Sequence, residues 1–383
     1  MSVASYTVRV FRGHAGLVEI RQPWLDLISA IRDVSFYQHP GWFECFARSH
    51  GKAMDRLVFA VVYREARLIG VIPLEFNRHG KWLSYTEASV PVRGQLYHPD
   101  CLVDPAEDPV EVLDFALDGI ASHTGCDWDI LLLRNALETS LVARYSARSR
   151  YPCVSSPNAT RCATLDVIPY EEAQKRMRRK FRKNLARSYR KLEELGGGAF
   201  FHHSDAEGLP ALFEAFAELE SKGWKGGHSA GRGDHPKAQA IALSASKLDF
   251  YRHAVRYFGD LGAVHIFVLR QGESCLAMQL CLVLGTRGYV LKTAYDEAFS
   301  RCSPGHLIQD FAYSHFAAST AVRQLNLISD SPADDGWCPE KTRFVTLRNV
   351  RLTLKGILLL AVLRVRSQLS GKTDRRSKVL DLS

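Results

Sequence analysis

The stretch from Tyr289 to Tyr313, YVLKTAYDEAFSRCSPGHLIQDFAY, holds a strand, a loop and a helix start in that order. Tyr289 to Tyr295 is rich in aromatic and β-branched residues, which suit a pleated strand. Asp296 to Cys302 is a short polar loop. A helix is then expected at Ser303-Pro304-Gly305. Ser303 is placed to cap it, its hydroxyl accepting from a free backbone N–H one turn in. Pro304 suits the first helical position, where its missing N–H would have had no partner. Gly305 has no side chain to hold a ligand off the backbone. Leu307, Ile308, Phe311, Ala312 and Phe316 recur at helical spacing and predict one buried face. The amide-rich start of a helix behind a strand is a ready anion site. The plainer reading is a capped helix that binds nothing.

Outward from this stretch, the chain repeats one plan. In the first half, Tyr6 to Phe11 alternates as a strand. Gly16 to Ile31 reads as a helix interrupted by Pro23, and Pro40 to Ser49 starts a second helix. Leu57 to Tyr63 and Leu68 to Phe76 flank a polar turn as a hairpin. Val110 to Ser122 is amphipathic, Trp128 to Arg134 is a buried strand, and Ala163 to Val167 is another. In the second half, Ala199 to His203 is a strand and Ala206 to Lys222 a helix. His235 to Phe258 carries one or two more helices. Ala263 to Arg270 and Cys275 to Leu284 form the matching hairpin, followed by Tyr289 to Tyr295, the Ser303 helix and Gln324 to Ser329. Phe344 to Leu354 is a final strand region. The hairpins VFAVVYREARLIGVIPLEF and IFVLRQGESCLAMQLCLVL look alike. A duplicated unit of this period is not a solenoid. Strand, two helices, three antiparallel strands, helix, strand is the order of a GNAT-type acyltransferase domain. The fold class expected is therefore α/β (α+β): two tandem GNAT-like domains, each a mixed, mostly antiparallel sheet flanked by helices. The expected divisions are 1–168, a basic linker helix 169–198, 199–354, and a basic tail 355–383.

With 383 residues and 46% apolar content, the chain can bury two ordinary cores. Its net charge of +9 suggests an acidic partner. The nine cysteines are scattered, without a CxxC or a zinc-like Cys/His spacing, as expected of reduced cytosolic thiols. His202-His203 has no third ligand at metal spacing in the sequence, so no metal is expected. No signal-peptide core is evident in MSVASYTVRVFRGH. The longest apolar run, Ile357 to Val365, is too short to span a bilayer and contains Arg364.

Lys175 to Lys191, KRMRRKFRKNLARSYRK, has ten Lys or Arg among seventeen residues and none acidic. Met177, Phe181, Leu185 and Leu192 recur about one turn apart and predict a helix packed by one stripe. Its charged face is either plainly solvated, or suited to nucleic acid or anionic lipid headgroups.

Three stretches, RRKFRKNLARSYRKLEELGG, ELESKGWKGG and LKTAYDEAFSRCSPGHL, carry a family resemblance. Lys175 to Phe344 resembles the acetyltransferase family linked to bacterial cellulose and exopolysaccharide synthesis (the CelD/BcsL type), within the GNAT superfamily. The tail DSPADDGWCPEKTRF matches more weakly. The resemblance implies tandem GNAT-like domains, an acyl-CoA donor such as acetyl-CoA, and an amine or hydroxyl acceptor. The usual GNAT phosphate loop is Gln/Arg-x-x-Gly-x-Gly/Ala. Here Arg301-Cys302-Ser303-Pro304-Gly305 is one residue out of step, with a single glycine. The FemAB aminoacyl-tRNA-dependent transferases look like the same tandem architecture with another donor.

Acyl transfer requires pyrophosphate binding, a polarised carbonyl, a base for the acceptor and an acid for the leaving thiolate. The amides of Ser303, Gly305 and His306 are assigned to the pyrophosphate, with charge from Arg301. Asp296 is the candidate general base, or else a loop aspartate making a local turn. Tyr295 could protonate the thiolate or simply be core. Lys292 faces solvent, or meets Asp296, Glu220 or a substrate anion. Lys292 and Tyr295 are three apart, so lining one cleft needs a bulge or a splayed strand. Trp224 could wall the acceptor pocket and Lys225 hold an acidic acceptor, or the pair could belong to a capped helix. Gly226 to Gly233 reads as a mobile substrate loop. Cys302 lies beside the expected anion site, but a ternary transfer needs no nucleophile.

The expected function is acyl-CoA-dependent N- or O-acyl transfer in polysaccharide or cell-envelope synthesis, on a small-molecule or saccharide acceptor. The cytoplasm is the expected location, with an anionic inner-membrane surface as a candidate partner. The competing readings are aminoacyl transfer from charged tRNA, and a non-catalytic membrane-surface or assembly factor.

Overall fold

The computed structural model describes residues 6–80, 84–92, 95–96, 98, 100–227, 239–319 and 321–365. In chain order the elements are β1 (Tyr6–Arg12), α1 (Gly13–Ser29), α2 (Pro40–Ser49), α3 (Gly51–Met54), β2 (Val58–Arg64), β3 (Arg67–His79), β4 (Tyr85–Ser89), β5 (Leu102–Val103), α4 (Pro109–Ile120), β6 (Ile130–Leu137), α5 (Leu141–Arg148) and β7 (Cys153–Asp166). They continue with α6 (Tyr170–Arg176), α7 (Arg179–Glu194), β8 (Ala199–His203), α8 (Leu209–Lys222), α9 (Ala245–Asp260), β9 (Val264–Gln271), β10 (Ser274–Leu284), β11 (Arg287–Tyr295), α10 (Pro304–Ala318), β12 (Gln324–Asn326) and β13 (Glu340–Val350). Contacts divide the chain into two compact units. One holds the residues up to Ile31, Lys52–Thr160 and Arg343 onward; the other holds Arg32–Gly51 and Arg161–Thr342.

The two units share a plan. In the first, β1, β2, β3 and β4 pair antiparallel in sequence order, and β6 joins β4 in parallel after α4. In the second, β8, β9, β10 and β11 pair antiparallel, and β12 joins β11 in parallel after α10. The parallel step needs a crossover, which α4 and α10 supply. The strands of each unit are thus mixed but mostly antiparallel, with helices against them.

Helix α10 shows why the sequence folds this way. Leu307, Ile308, Ala312, Tyr313 and Phe316 are buried on one stripe, and Phe311 is half-buried beside them. Each large buried side chain contributes about 1.5–3 kcal/mol relative to exposure. The stripe packs on β9 and β10, where Phe267, Leu269, Leu276 and Cys281 complete the core.

Several segments differ from expectation. Pro23 does not interrupt α1, which runs through it. Helix α2 belongs to the second unit, because it packs on α9; a Cβ at Gly41 would overlap the Tyr257 ring. The units meet in sequence at Thr160/Arg161, within β7, rather than at Ile168. The basic segment is two helices rather than one. Met177 is extended and buried, and the Arg178 amide donates to the Gly336 carbonyl at 2.9 Å, which ends α6 before α7 starts. Leu185, Ser188 and Leu192 then bury one stripe of α7 in the second unit's core. Residues 354–365, expected to lie largely in the tail, form a helix of the first unit that exposes Leu354, Ile357, Leu358, Val362 and Val365. Among the described residues, no helix is long and apolar enough to cross a membrane.

Candidate functional site

Strand β11 pairs with β12 only over Arg287–Tyr289. Beyond Tyr289 the two part, leaving one edge of β11 without a partner strand. A bulge at Leu291, where Leu280 pairs with Lys292 and Cys281 with Val290, bends β11 at the same place. A cleft of about 590 Å³ occupies the gap. Because it lies along the strand edge, residues from both faces line it, including Lys292 and Tyr295. Lys292 to Tyr295 themselves pair in regular register, so it is the splay, and not the bulge before Lys292, that lets both residues line the cleft. The opposite wall follows β12: Leu327, Ser329, Ser331 and Asp334. Ile328, between two lining residues, has φ +65°, a strained value for a β-branched side chain. Its amide donates to Asn326 Oδ1 at 2.7 Å, holding the turn that ends β12.

The start of α10 forms the floor, with Ser303, Gly305 and His306 all lining the cleft. Its hydrogen bonds differ from those expected. Ser303 is left-handed at φ +51° and its side chain caps nothing. Its amide donates to the Ser300 carbonyl at 3.0 Å, and the His306 amide donates to the Ser303 carbonyl at 2.9 Å. Of the three amides assigned to a diphosphate, only that of Gly305 lacks an acceptor among the described residues. A Cβ at Gly305 would lie 3.3 Å from Tyr295 Cδ1. Glycine therefore leaves the backbone approachable beside the Tyr295 ring. That cradle fits one phosphate oxygen at one amide, aided by the helix dipole.

Lys292 is the most perturbed group in the cleft. Burial pushes its ammonium down to about 8; Glu220 opposes this, and Lys247 and Lys225 add to it. Its Nζ makes no hydrogen bond or ion pair among the described residues. Lys225 also lines the cleft, but its Nζ is held by the Thr293 carbonyl at 2.7 Å and Glu220 Oε1 at 3.4 Å. Glu220 is only 2% exposed and does not line the cleft. It accepts from the Ile241 amide at 2.8 Å, so it positions Lys225 rather than touching an acceptor. Replacing Glu220 with alanine strands that buried amide and Lys225, and should destabilise the protein by about 3–5 kcal/mol in denaturant unfolding. Glutamine, which keeps an acceptor for Ile241, should lose much less.

Asp296 does not line the cleft; its carboxylate accepts from the Ala298 amide at 2.9 Å and caps the turn after β11, the local alternative the sequence left open. Arg301 is exposed and outside the lining, its carbonyl accepting from Lys191 Nζ at 3.1 Å. Cys302 is buried, donates to the Phe299 carbonyl, and has its thiol pushed up by burial. The Trp224 side chain and residues 228–233 of the Gly226 to Gly233 loop lie outside the described residues. Asp334 was not anticipated. Burial raises its carboxyl, and Gln309 and then His306, which line the same cleft, lower it in part.

A second cluster lies apart from the cleft. His202 Nε2 is 2.9 Å from His265 Nδ1, and the His202 and His315 rings are 3.9 Å apart at their centroids. The third partner that His202 lacked in sequence is supplied by the fold. Burial is the first cause that pushes both His202 and His265 down to about 4.

Residues 179–329 match the acetyltransferase (GNAT) domain family. The match spans α7 to the residues just after β12, and so contains the β11 edge and the start of α10, but only Leu327 and Ser329 of the opposite wall. Among curated proteins, none matches the sequence. Among solved structures, that of FemX aligns at TM-score 0.59 and 12% identity, covering 90% of this chain and 98% of FemX. A conserved protein of unknown function from Bacteroides thetaiotaomicron aligns at TM-score 0.55 and 9% identity, over 88% of this chain and 97% of that one. The C-terminal domain of a candidate lysylphosphatidylglycerol synthetase from Agrobacterium fabrum aligns at TM-score 0.51 and 12% identity, over 90% and 96%. At such identities the likeness concerns the fold, which these proteins share over nearly the whole chain. Both units share one strand order, and the stretch that matches the GNAT domain family holds most of the cleft lining.

Proposed function

We propose that the second unit transfers an acyl group from acyl-CoA to an amine or hydroxyl acceptor in a ternary complex. The observation that carries this reading is the Gly305 amide at the head of α10, facing the cleft that holds Lys292 and Tyr295. Acyl-CoA supplies an activated thioester and a diphosphate. The chain's own groups supply the rest. Gly305 N–H and the α10 dipole hold a phosphate oxygen. Lys292, with a proton affinity close to neutral pH, takes the acceptor's proton. Tyr295, lining the same cleft, is the candidate donor to the departing thiolate. His306 borders the acceptor from the floor and Asp334 from the far wall. This assigns the base to Lys292 in place of Asp296, whose carboxylate is occupied by its own turn.

Resemblance to the exopolysaccharide-linked acetyltransferases supports a saccharide or other small acceptor of envelope synthesis, handled in the cytoplasm. The exposed apolar side chains of helix 354–365, with the exposed Arg364 among them, support residence at an anionic membrane surface. The reading is tested by offering the full chain acetyl-CoA with a panel of amino sugars, sugar alcohols and simple amines, and following thiol release. Acceptor-dependent release supports it; no release above the protein-free rate with any acceptor, together with no acetyl-CoA binding, refutes it.

One observation favours a second donor. Helix α7 and the residue before it expose Arg178, Arg179, Lys180, Arg182, Lys183, Arg187 and Arg190, and none of them forms an ion pair among the described residues. Such a face suits RNA, as aminoacyl transfer from tRNA would require. Under the acyl-CoA reading, Arg179→Glu with Lys183→Glu leaves acetyl-CoA affinity within about twofold. Under the tRNA reading, the wild type binds charged tRNA with an affinity that falls steeply with salt, and the double variant loses it.

A further inference from the structure

We propose that His202, His265 and His315 form a binding site for a divalent first-row transition metal ion, with Zn²⁺ as its natural occupant. One ring nitrogen from each residue lies within 4.8 Å of the other two. The topology produces this cluster. His202 on β8 sits opposite Phe267 on β9, and His265 precedes Phe267 by two residues, so all three side chains point to one face of the sheet. Helix α10 packs on that face, and its last turn brings His315 over them. The Phe267 ring supports the group, with centroids 4.9 Å from His202 and 5.4 Å from His315.

The donor set suits the ion. Imidazole nitrogens favour Zn²⁺, Cu²⁺, Ni²⁺ and Co²⁺ over Mg²⁺ or Ca²⁺, which prefer oxygen. Three protein nitrogens with a fourth position for water is a coordination that Zn²⁺ commonly adopts. Zinc–nitrogen bonds of about 2.0–2.1 Å in tetrahedral array need nitrogens roughly 3.3 Å apart. The His202–His265 pair, at 2.9 Å, must open slightly and give up its shared proton. The three rings are only half-buried and β8 is the last strand of its sheet, so there is room to turn and a path for the ion. A cation at the C-terminal turn of α10 also suits the helix dipole.

The site would not take part in the cleft chemistry. Residues 304 and 315 are eleven apart, about 16 Å along the helix axis. Its effect would be to pin the far end of α10 to β8 and β9, and so to steady the helix whose other end opens the cleft. Bound metal stabilises the folded state by mass action.

The test uses the full chain stripped with a chelator, then titrated with Zn²⁺ in a calorimeter and with Co²⁺ in a spectrophotometer. The expected result is one saturable equivalent, a tetrahedral Co²⁺ spectrum, and a rise in Tm with Zn²⁺. His315→Ala and His265→Ala should each weaken Zn²⁺ at least tenfold and remove the Tm rise. His315→Phe, which keeps a ring against Phe267, serves if alanine unfolds the protein. Cys338→Ser should bind as the wild type does, since its exposed thiol is the obvious competitor. No saturable binding by the wild type, or equal binding by folded histidine variants, overturns the proposal.

Discussion

Gly305→Val should weaken acetyl-CoA binding by about 10–100-fold while leaving the fold intact. The backbone at Gly305 is not in the left-handed region, so a side chain is tolerated conformationally. Even the first carbon would press on Tyr295 from 3.3 Å, and a branched side chain would cover the one amide without an acceptor. A hydrogen bond from that amide to a phosphate is charge-assisted and worth about 1.5–3 kcal/mol, which gives the stated range at 1.4 kcal/mol per tenfold. Calorimetry reads the affinity, and thermal unfolding should show the Tm within a few degrees of wild type. Unchanged affinity would move the diphosphate elsewhere.

Lys292→Met should have the second large effect, and its two readouts move in opposite directions. Activity should fall about 10²–10⁴-fold, as loss of a positioned acid–base group does. Stability should rise at neutral pH. Burial holds the Lys292 ammonium down to about 8 from 10.5, so the unfolded chain binds more protons than the folded one between those values. Wild-type stability therefore climbs as pH rises from 8 to 10.5, and the charged lysine costs most below pH 8. Methionine fills the same space without charge, so the variant should start higher and climb less. Lys247, also lowered by burial, leaves a residual slope in the variant. In wild type, kcat/KM should rise through an inflection near pH 8 that the variant lacks. A variant that loses activity without gaining stability would mean that Lys292 is not held charged against burial.

The hairpins were legible because each is a pair of apolar runs broken by polar turn residues. The α10 stripe was legible from its period alone. What escaped depended on partners distant in sequence. Met177 reads as one more apolar position of a continuous helix; it is the Gly336 carbonyl, bonded to Arg178, that ends the helix there. Helix α2 carries no mark that it packs on α9. Asp296 and Asp334 are both loop aspartates by composition, yet one caps its own turn and the other lines the cleft, where burial raises its carboxyl. Glu220 reads as the polar edge of a helix, while the fold buries it under Lys225 and Ile241. His202 and His265 are separated by 63 residues, so no local spacing could join them.

The central claim is that the Gly305 amide receives the diphosphate of acyl-CoA. The most direct measurement is the backbone amide resonance of Gly305 in isotope-labelled protein during titration with acetyl-CoA. Binding through that amide predicts a large, saturable shift of Gly305 with the same midpoint as calorimetry, and smaller shifts at Ser303 and His306, whose amides are already bonded within the chain. A Gly305 resonance that stays in place while the protein saturates with acetyl-CoA, or no saturation at all, would contradict it.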